Sequence, residues 1–178
     1  TTREQGHELW VSEGTPQSTR LVKDIRPGIE DADIQGLTAV GDSIYFTAND
    51  GVHGAELWKS DGTDQGTRMV KDIRPGEASS RPAHLVALDR MLYFAANDGV
   101  HGTELWRSDG TTAGTTLVAD IRPGAEGAIA SPLSTMGGRL YFAATDGVSG
   151  AELWRSDGTA KGTALVKDIA PGAESGSP

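Results

Sequence analysis

The triplet Glu-Leu-Trp stands at 8–10, 56–58, 104–106 and 152–154, each copy 48 residues after the last, with no insertion or deletion between them. Tyr-Phe keeps the same step at 45–46, 93–94 and 141–142. So do Asp-Ile at 24–25, 72–73, 120–121 and 168–169, and Pro-Gly at 27–28, 75–76, 123–124 and 171–172. A strict period of this length means one supersecondary unit laid down repeatedly, each copy covering an apolar face of the next. What one unit can form therefore decides the fold.

Within residues 77–124, four strand-like runs alternate with turn residues: His84 to Leu88, Met91 to Ala96, Thr103 to Arg107 and Thr115 to Ile121. They are closed in turn by Asp89-Arg90, Asn97-Asp98-Gly99, Ser108-Asp109-Gly110 and Arg122-Pro123-Gly124. Each run is near the usual strand length, and Asp-Gly between apolar runs is a hairpin signal. No stretch carries the apolar period of a helix. The second run is apolar on both alternating faces, Leu92, Phe94 and Ala96 on one and Met91, Tyr93 and Ala95 on the other, as in a strand between two packed sheets. The fourth run places Leu117, Ala119 and Ile121 on one face and Asp120 on the other, the pattern of a more exposed outer strand. Four antiparallel strands per unit, at a period within the range of about 40–50 residues for propeller blades, predict an all-β chain of the β-propeller class. A β-solenoid is the competitor, with shorter coils.

The phase gives a half blade at 1–28 (third and fourth strands), blades at 29–76, 77–124 and 125–172, and a tail at 173–178, all one repeat domain. Three and a half repeats fall short of the roughly four to eight blades that close a ring. The expectation is self-association that completes or extends the propeller, or membership of a longer array.

A net charge of −9 repels phosphate backbones and anionic membranes, so nucleic acid is not expected as a partner. No window approaches the roughly 18 apolar residues of a membrane span, so no membrane insertion is expected. The absence of cysteine removes disulfides, thiolate metal sites and thiol nucleophiles.

The octets Glu-Leu-Trp-Lys-Ser-Asp-Gly-Thr at 56–63 and Glu-Leu-Trp-Arg-Ser-Asp-Gly-Thr at 104–111 and 152–159 resemble the ELWxxDGT repeat family of large bacterial secreted or surface proteins. The copy at 8–15 departs with Glu13 in place of Asp, and Ala170 stands where the other copies carry Arg26, Arg74 and Arg122. The resemblance implies a propeller-like module in a bacterial extracellular or cell-surface setting, and brings no catalytic residues with it. The near-identity of adjacent copies also fits recent duplication or an engineered amplification of one blade.

Four sets of repeated residues are candidates for function. Trp10, Trp58, Trp106 and Trp154 offer one indole per unit, which either packs between blades or stacks on a ligand such as a sugar ring, with packing favoured. Asp50, Asp98 and Asp146 in one turn, and Asp61, Asp109 and Asp157 in the other, are weak candidates for calcium. Neither turn has a calcium-loop spacing, and Asp before Gly is explained by turn geometry, so no cofactor is expected. Glu8, Glu56, Glu104 and Glu152, with Asp24, Asp72, Asp120 and Asp168, read as structural repeat positions, the aspartates at a solvated strand edge. His53 and His101 occupy a loop where the third copy has Ser149.

Residues that break the repeat, among them Glu77, Arg81, His84 and Asp89, read as drift on loops and edges. Catalysis needs unlike groups with separated pKa values at one point, whereas here most polar residues are copied in every unit. The expected function is a non-catalytic extracellular binding or adhesion scaffold for a protein or glycan ligand. The alternatives are a structural or engineered symmetric propeller without a ligand, and a lectin-type propeller.

Overall fold

The computed structural model describes residues 6–129, 131–172 and 175; apart from Ser175, the tail at 173–178 lies outside the described residues. Among them there is no helix. There are fourteen strands: β1 (Leu9–Val11), β2 (Arg20–Lys23), β3 (Gln35–Val40), β4 (Ser43–Asn49), β5 (Ala55–Ser60), β6 (Arg68–Lys71), β7 (Ala83–Leu88), β8 (Met91–Asn97), β9 (Thr103–Ser108), β10 (Thr116–Ala119), β11 (Ser134–Met136), β12 (Arg139–Ala144), β13 (Glu152–Ser156) and β14 (Ala164–Lys167). They form a two-stranded sheet, β1-β2, and three four-stranded antiparallel meanders in simple sequence order, β3 to β6, β7 to β10 and β11 to β14.

The apolar positions bind the sheets face to face. Leu92, Phe94 and Ala96 of β8 pack on Tyr45, Leu57, Val70 and Ile73 of the preceding sheet. Tyr93 and Ala95, on the other face of β8, pack with Leu105, Val118 and Ile121 against Leu140, Phe142 and Ala144 of the following sheet. Leu9, Val22 and Ile25 meet Phe46, Ala48 and Trp58 in the same manner. Three seams therefore hold four sheets. Each fully buried Leu or Phe contributes about 1.5–3 kcal/mol by leaving water. The first strands touch in succession, β3 on β7 and β7 on β11, so the sheets converge at one edge. The architecture is all-β and propeller-like, and the row of sheets is not closed.

One close approach explains a repeated glycine. A Cβ on Gly110 would lie 2.2 Å from the hydroxyl of Tyr45 in the preceding sheet, and on Gly158 2.1 Å from that of Tyr93. Both glycines also have positive φ, 86° and 85°, which disfavours any side chain.

The fourth run differs from its sequence reading. Strand β10 stops at Ala119, and a bulge between Leu117 and Ala119 interrupts the alternation. Val118 and Ile121 enter one core together, at 7% and 8% exposure, while Leu117 is only half-buried. The cause lies next door: the Glu104 carboxylate accepts the N–H groups of Ile121 and Arg122 and draws that segment out of the ladder.

Candidate functional site

Each unit carries a buried carboxylate at the start of its third strand. Glu104 Oε2 accepts from Ile121 N at 3.0 Å and Oε1 from Arg122 N at 3.1 Å. Glu56 accepts from Ile73 N and Ser80 N, both at 2.9 Å, and from the Ser80 hydroxyl at 2.6 Å. Glu8 repeats the pattern with Ile25 and Arg26, and Glu152 with Ile169 and Ala170. Loss of hydration pushes Glu104 up to about 7, against backbone hydrogen bonds that lower it, with the Asp120 charge adding to the rise. Burial likewise raises Glu56 and Glu8. A carboxyl titrating near neutrality suits acid–base chemistry, but Glu104 is fully buried and both its oxygens are held by backbone donors. The arrangement fastens the turn after the fourth strand to the third.

Three of the four paired aspartates differ from the solvated edge expected of them. Asp24, Asp72 and Asp168 each keep Oδ1 buried without a hydrogen-bond partner. Asp72 accepts from Gly76 N through Oδ2 at 3.3 Å, while Asp120 is exposed. The neighbouring basic residues pair elsewhere: Arg26 with Glu30, Arg122 with Glu126, and Lys23 with Asp64 of the next unit.

The turn aspartates are engaged by their own turns. Asp109 Oδ1 accepts from Thr111 N at 2.8 Å and Thr111 Oγ1 at 2.7 Å; Asp61 and Asp157 do the same with Thr63 and Thr159. These bonds, the threonine hydroxyl first, hold the three carboxylates below the usual range. Asp98 Oδ1 accepts from Val100 N and His101 N, and its Oδ2 accepts from His101 Nδ1 at 2.7 Å; Asp50 and His53 match them. Burial works to raise Asp50 and Asp98, but the hydrogen bonds win and lower them, and the same contacts raise both histidines. Asp146 binds Val148 N and Ser149 N. Among the described residues no three His, Asp or Glu side chains converge on a point that could hold a metal.

Trp58 and Trp106 are each 6% exposed and lie in the seams, whereas Trp10 and Trp154, in the first and last sheets, are half-buried. Trp154 packs on the seam beneath it, and Lys71 Nζ lies 5.9 Å from the Trp106 ring centroid. The indole Nε1 groups of Trp10 and Trp58 are buried without a partner. The structure thus places Trp58, Trp106 and Trp154 at the seams, the glutamates inside sheets and the turn aspartates in their turns, and among the described residues brings no mixed set of them to one cleft.

A cavity that sequence reasoning missed lies where the β6–β7 loop meets the ends of β8 and β9. It is about 380 Å³ and lined by Arg74, Ala78, Ser79, Arg81, Asn97 and Thr103. Four of these, Ala78, Ser79, Arg81 and Thr103, are unlike either sister unit, a signal that the search for shared letters passes over.

No family model matches the chain, and no curated protein matches it. Among solved structures it is similar to a puromycin hydrolase mutant, with 20% identity and a TM-score of 0.50, over 80% of this chain and 22% of that one. It is also similar to an α-L-arabinofuranosidase from Clostridium thermocellum, with 16% identity and a TM-score of 0.37, over 72% of this chain and 48% of the other. The chain thus spans under half of either, both bear enzyme names, and the first likeness is one of fold alone.

Proposed function

We propose that the chain is a non-catalytic propeller-repeat scaffold for binding or adhesion. The observation that carries this reading is where the repeated polar groups go: the recurring glutamates and turn aspartates are bonded chiefly to backbone and side-chain groups of their own unit, with Ser80 of the next unit as a further partner of Glu56, leaving the inter-turn surfaces as the variable part. Such a module needs no catalytic group and no metal. The ELWxxDGT resemblance supports a bacterial extracellular setting, and the near-identity of the copies supports a purely structural or engineered propeller as the second reading. A glycan reading draws support only from Trp10 and Trp154, the two half-exposed indoles.

The scaffold is completed by a second copy of this chain. Tyr141, Leu153, Val166 and Ile169 in the last sheet repeat Tyr93, Leu105, Val118 and Ile121, which are covered by the next sheet. Val166 and Ile169 are 44% and 50% exposed. The face open at one end of the chain is the one that its own seams cover elsewhere, so a further unit of the same kind fits it. Light scattering is expected to give a multiple of 18.6 kDa, returning to the monomer mass in Val166→Asp. A folded wild-type monomer would overturn the association. Turnover of ester or glycoside substrates by the wild type, lost in a point variant, would overturn the non-catalytic reading.

A further inference from the structure

The cavity at the β6–β7 loop breaks the repeat in a concerted way. In unit 29–76 the matching loop positions are Glu30, Asp31 and Asp33; in the middle unit they are Ala78, Ser79 and Arg81. Three acidic side chains are thus replaced by a methyl, a hydroxyl and a guanidinium. In the first copy the acids neutralise their surroundings: Glu30 pairs with Arg26, and Asp31 with His7 Nδ1 at 2.8 Å. In the third copy Glu126 pairs with Arg122 in the same i,i+4 relation. Ala78 takes that acid away, and among the described residues neither Arg74 nor Arg81 has an ion pair, not even with nearby Glu77. A further change adds a donor: Thr103 stands where both sister units have Ala, at 55 and 151.

What converges on the space is donor-rich. Two arginines line it, together with Ser79, Thr103 and Asn97, each of which carries a side-chain donor. The Asn97 carbonyl oxygen already accepts from Gly99 N at 2.7 Å, which leaves its NH₂ as the available end. Ser79 Oγ accepts from Ala55 N at 2.9 Å, so its own proton is the one left to give. Arg74 lies along the Gly99 turn, with Nε 3.2 Å from where a Cβ would stand, and this packing orients its stem. The backbone at Arg81 has φ of 49°, but Asp33 holds the equivalent position at 51°. The unusual conformation is therefore shared with unit 29–76, and relative to that unit only the side chain is new. The volume lies within the range of about 300–1,000 Å³ typical of small-ligand pockets.

We infer that this cavity binds an oxyanion, a phosphate-type group free or carried by a small polar molecule, in a fork between Arg74 and Arg81 with Ser79, Asn97 and Thr103 as neutral donors. Paired guanidinium groups match such oxygens bidentately, and the neutral donors donate to any remaining lone pairs. The site needs neither self-association nor the scaffold reading. It gives an acidic protein one local preference for anions.

Titration of inorganic phosphate and of glucose 6-phosphate, followed by ¹⁵N-resolved shifts of the Asn97 side-chain amide and by calorimetry, tests it. Saturable binding is expected at low ionic strength, weakening about tenfold or more in Ala78→Glu and in Arg81→Asp. Each of these variants copies a residue that unit 29–76 already accommodates, and unchanged melting temperatures would show that both fold. Tighter binding of the sugar phosphate would place its carrier among the rim donors; equal binding would assign the site to the ion alone. No saturable shift with either probe, or binding that survives in the double variant, would overturn the inference.

Discussion

The second four-stranded sheet, β7 to β10, and the last, β11 to β14, carry the same octet, yet they live in different surroundings. Leu105 is fully buried and Leu153 is not; Val118 and Ile121 are 7% and 8% exposed, whereas Val166 and Ile169 reach 44% and 50%. Identical letters at equivalent positions thus have unequal burial, because cover comes from the following sheet and not from the sheet's own residues. Features made inside a sheet behave otherwise. Glu104 and Glu152 are both fully buried and both hold the turn after the fourth strand. The repeat fixes what a unit does for itself and only offers what it does for a neighbour.

The sharpest way to break this contrast is a pair of truncations. Leu105→Ala is expected to cost about 2–5 kcal/mol in urea unfolding, as for other fully buried leucines, and Leu153→Ala well under half of that at dilutions where the copies have separated. Equal costs would mean that the last face is covered in solution. The glutamates test the other half. Gln places an NH₂ group against a backbone N–H, so Glu104→Gln and Glu152→Gln should each lose about 1–3 kcal/mol and resemble one another. A large difference would show that the end sheet frays.

A finer probe uses two glycines of like φ. Gly110 has Tyr45 behind it, whereas a Cβ on Gly62, preceded only by the two-stranded sheet, meets nothing within 4 Å. Both Ala substitutions meet the positive-φ penalty of about 1–2 kcal/mol, so only the excess of Gly110→Ala over Gly62→Ala reports the seam. Melting temperatures of the two variants measure it. The smallest effect is in pH. Glu104 holds its proton more tightly folded, at about 7, than at the ordinary value of 4.5, so the native state carries the extra proton between these values. Its contribution to stability is therefore full below the lower value and lost as pH rises through the upper, with Glu56 and Glu8 acting in the same sense. The lowered Asp50 and Asp98 lose theirs only in more acid solution. The melting temperature should fall from about pH 5 to about pH 8, and less so in Glu104→Gln.

The fold was legible because periodicity survives translation into structure. The two apolar faces of β8 were visible as alternating letters, and they serve two different cores. The bulge at Leu117 to Ala119 was not visible, since its cause is a carboxylate from the adjacent strand. The buried Asp72 oxygen escaped notice for a similar reason: burial of one atom depends on a turn folding over it. The anion cavity was hidden by the habit of reading for likeness. Ala78, Arg81 and Thr103 look like unrelated losses of consensus until the loop and two strand ends bring them to one place.

Each sheet has two unlike sides, one presenting Tyr, Leu, Val and Ile and the other Leu, Phe, Ala and Trp. Such a tile has a top and a bottom. A further tile joining through seams like these would meet unlike side to unlike side, so growth by that route has a direction. Whether that growth ends in a ring or runs on as a filament is then decided by a single angle, the tilt between neighbouring tiles.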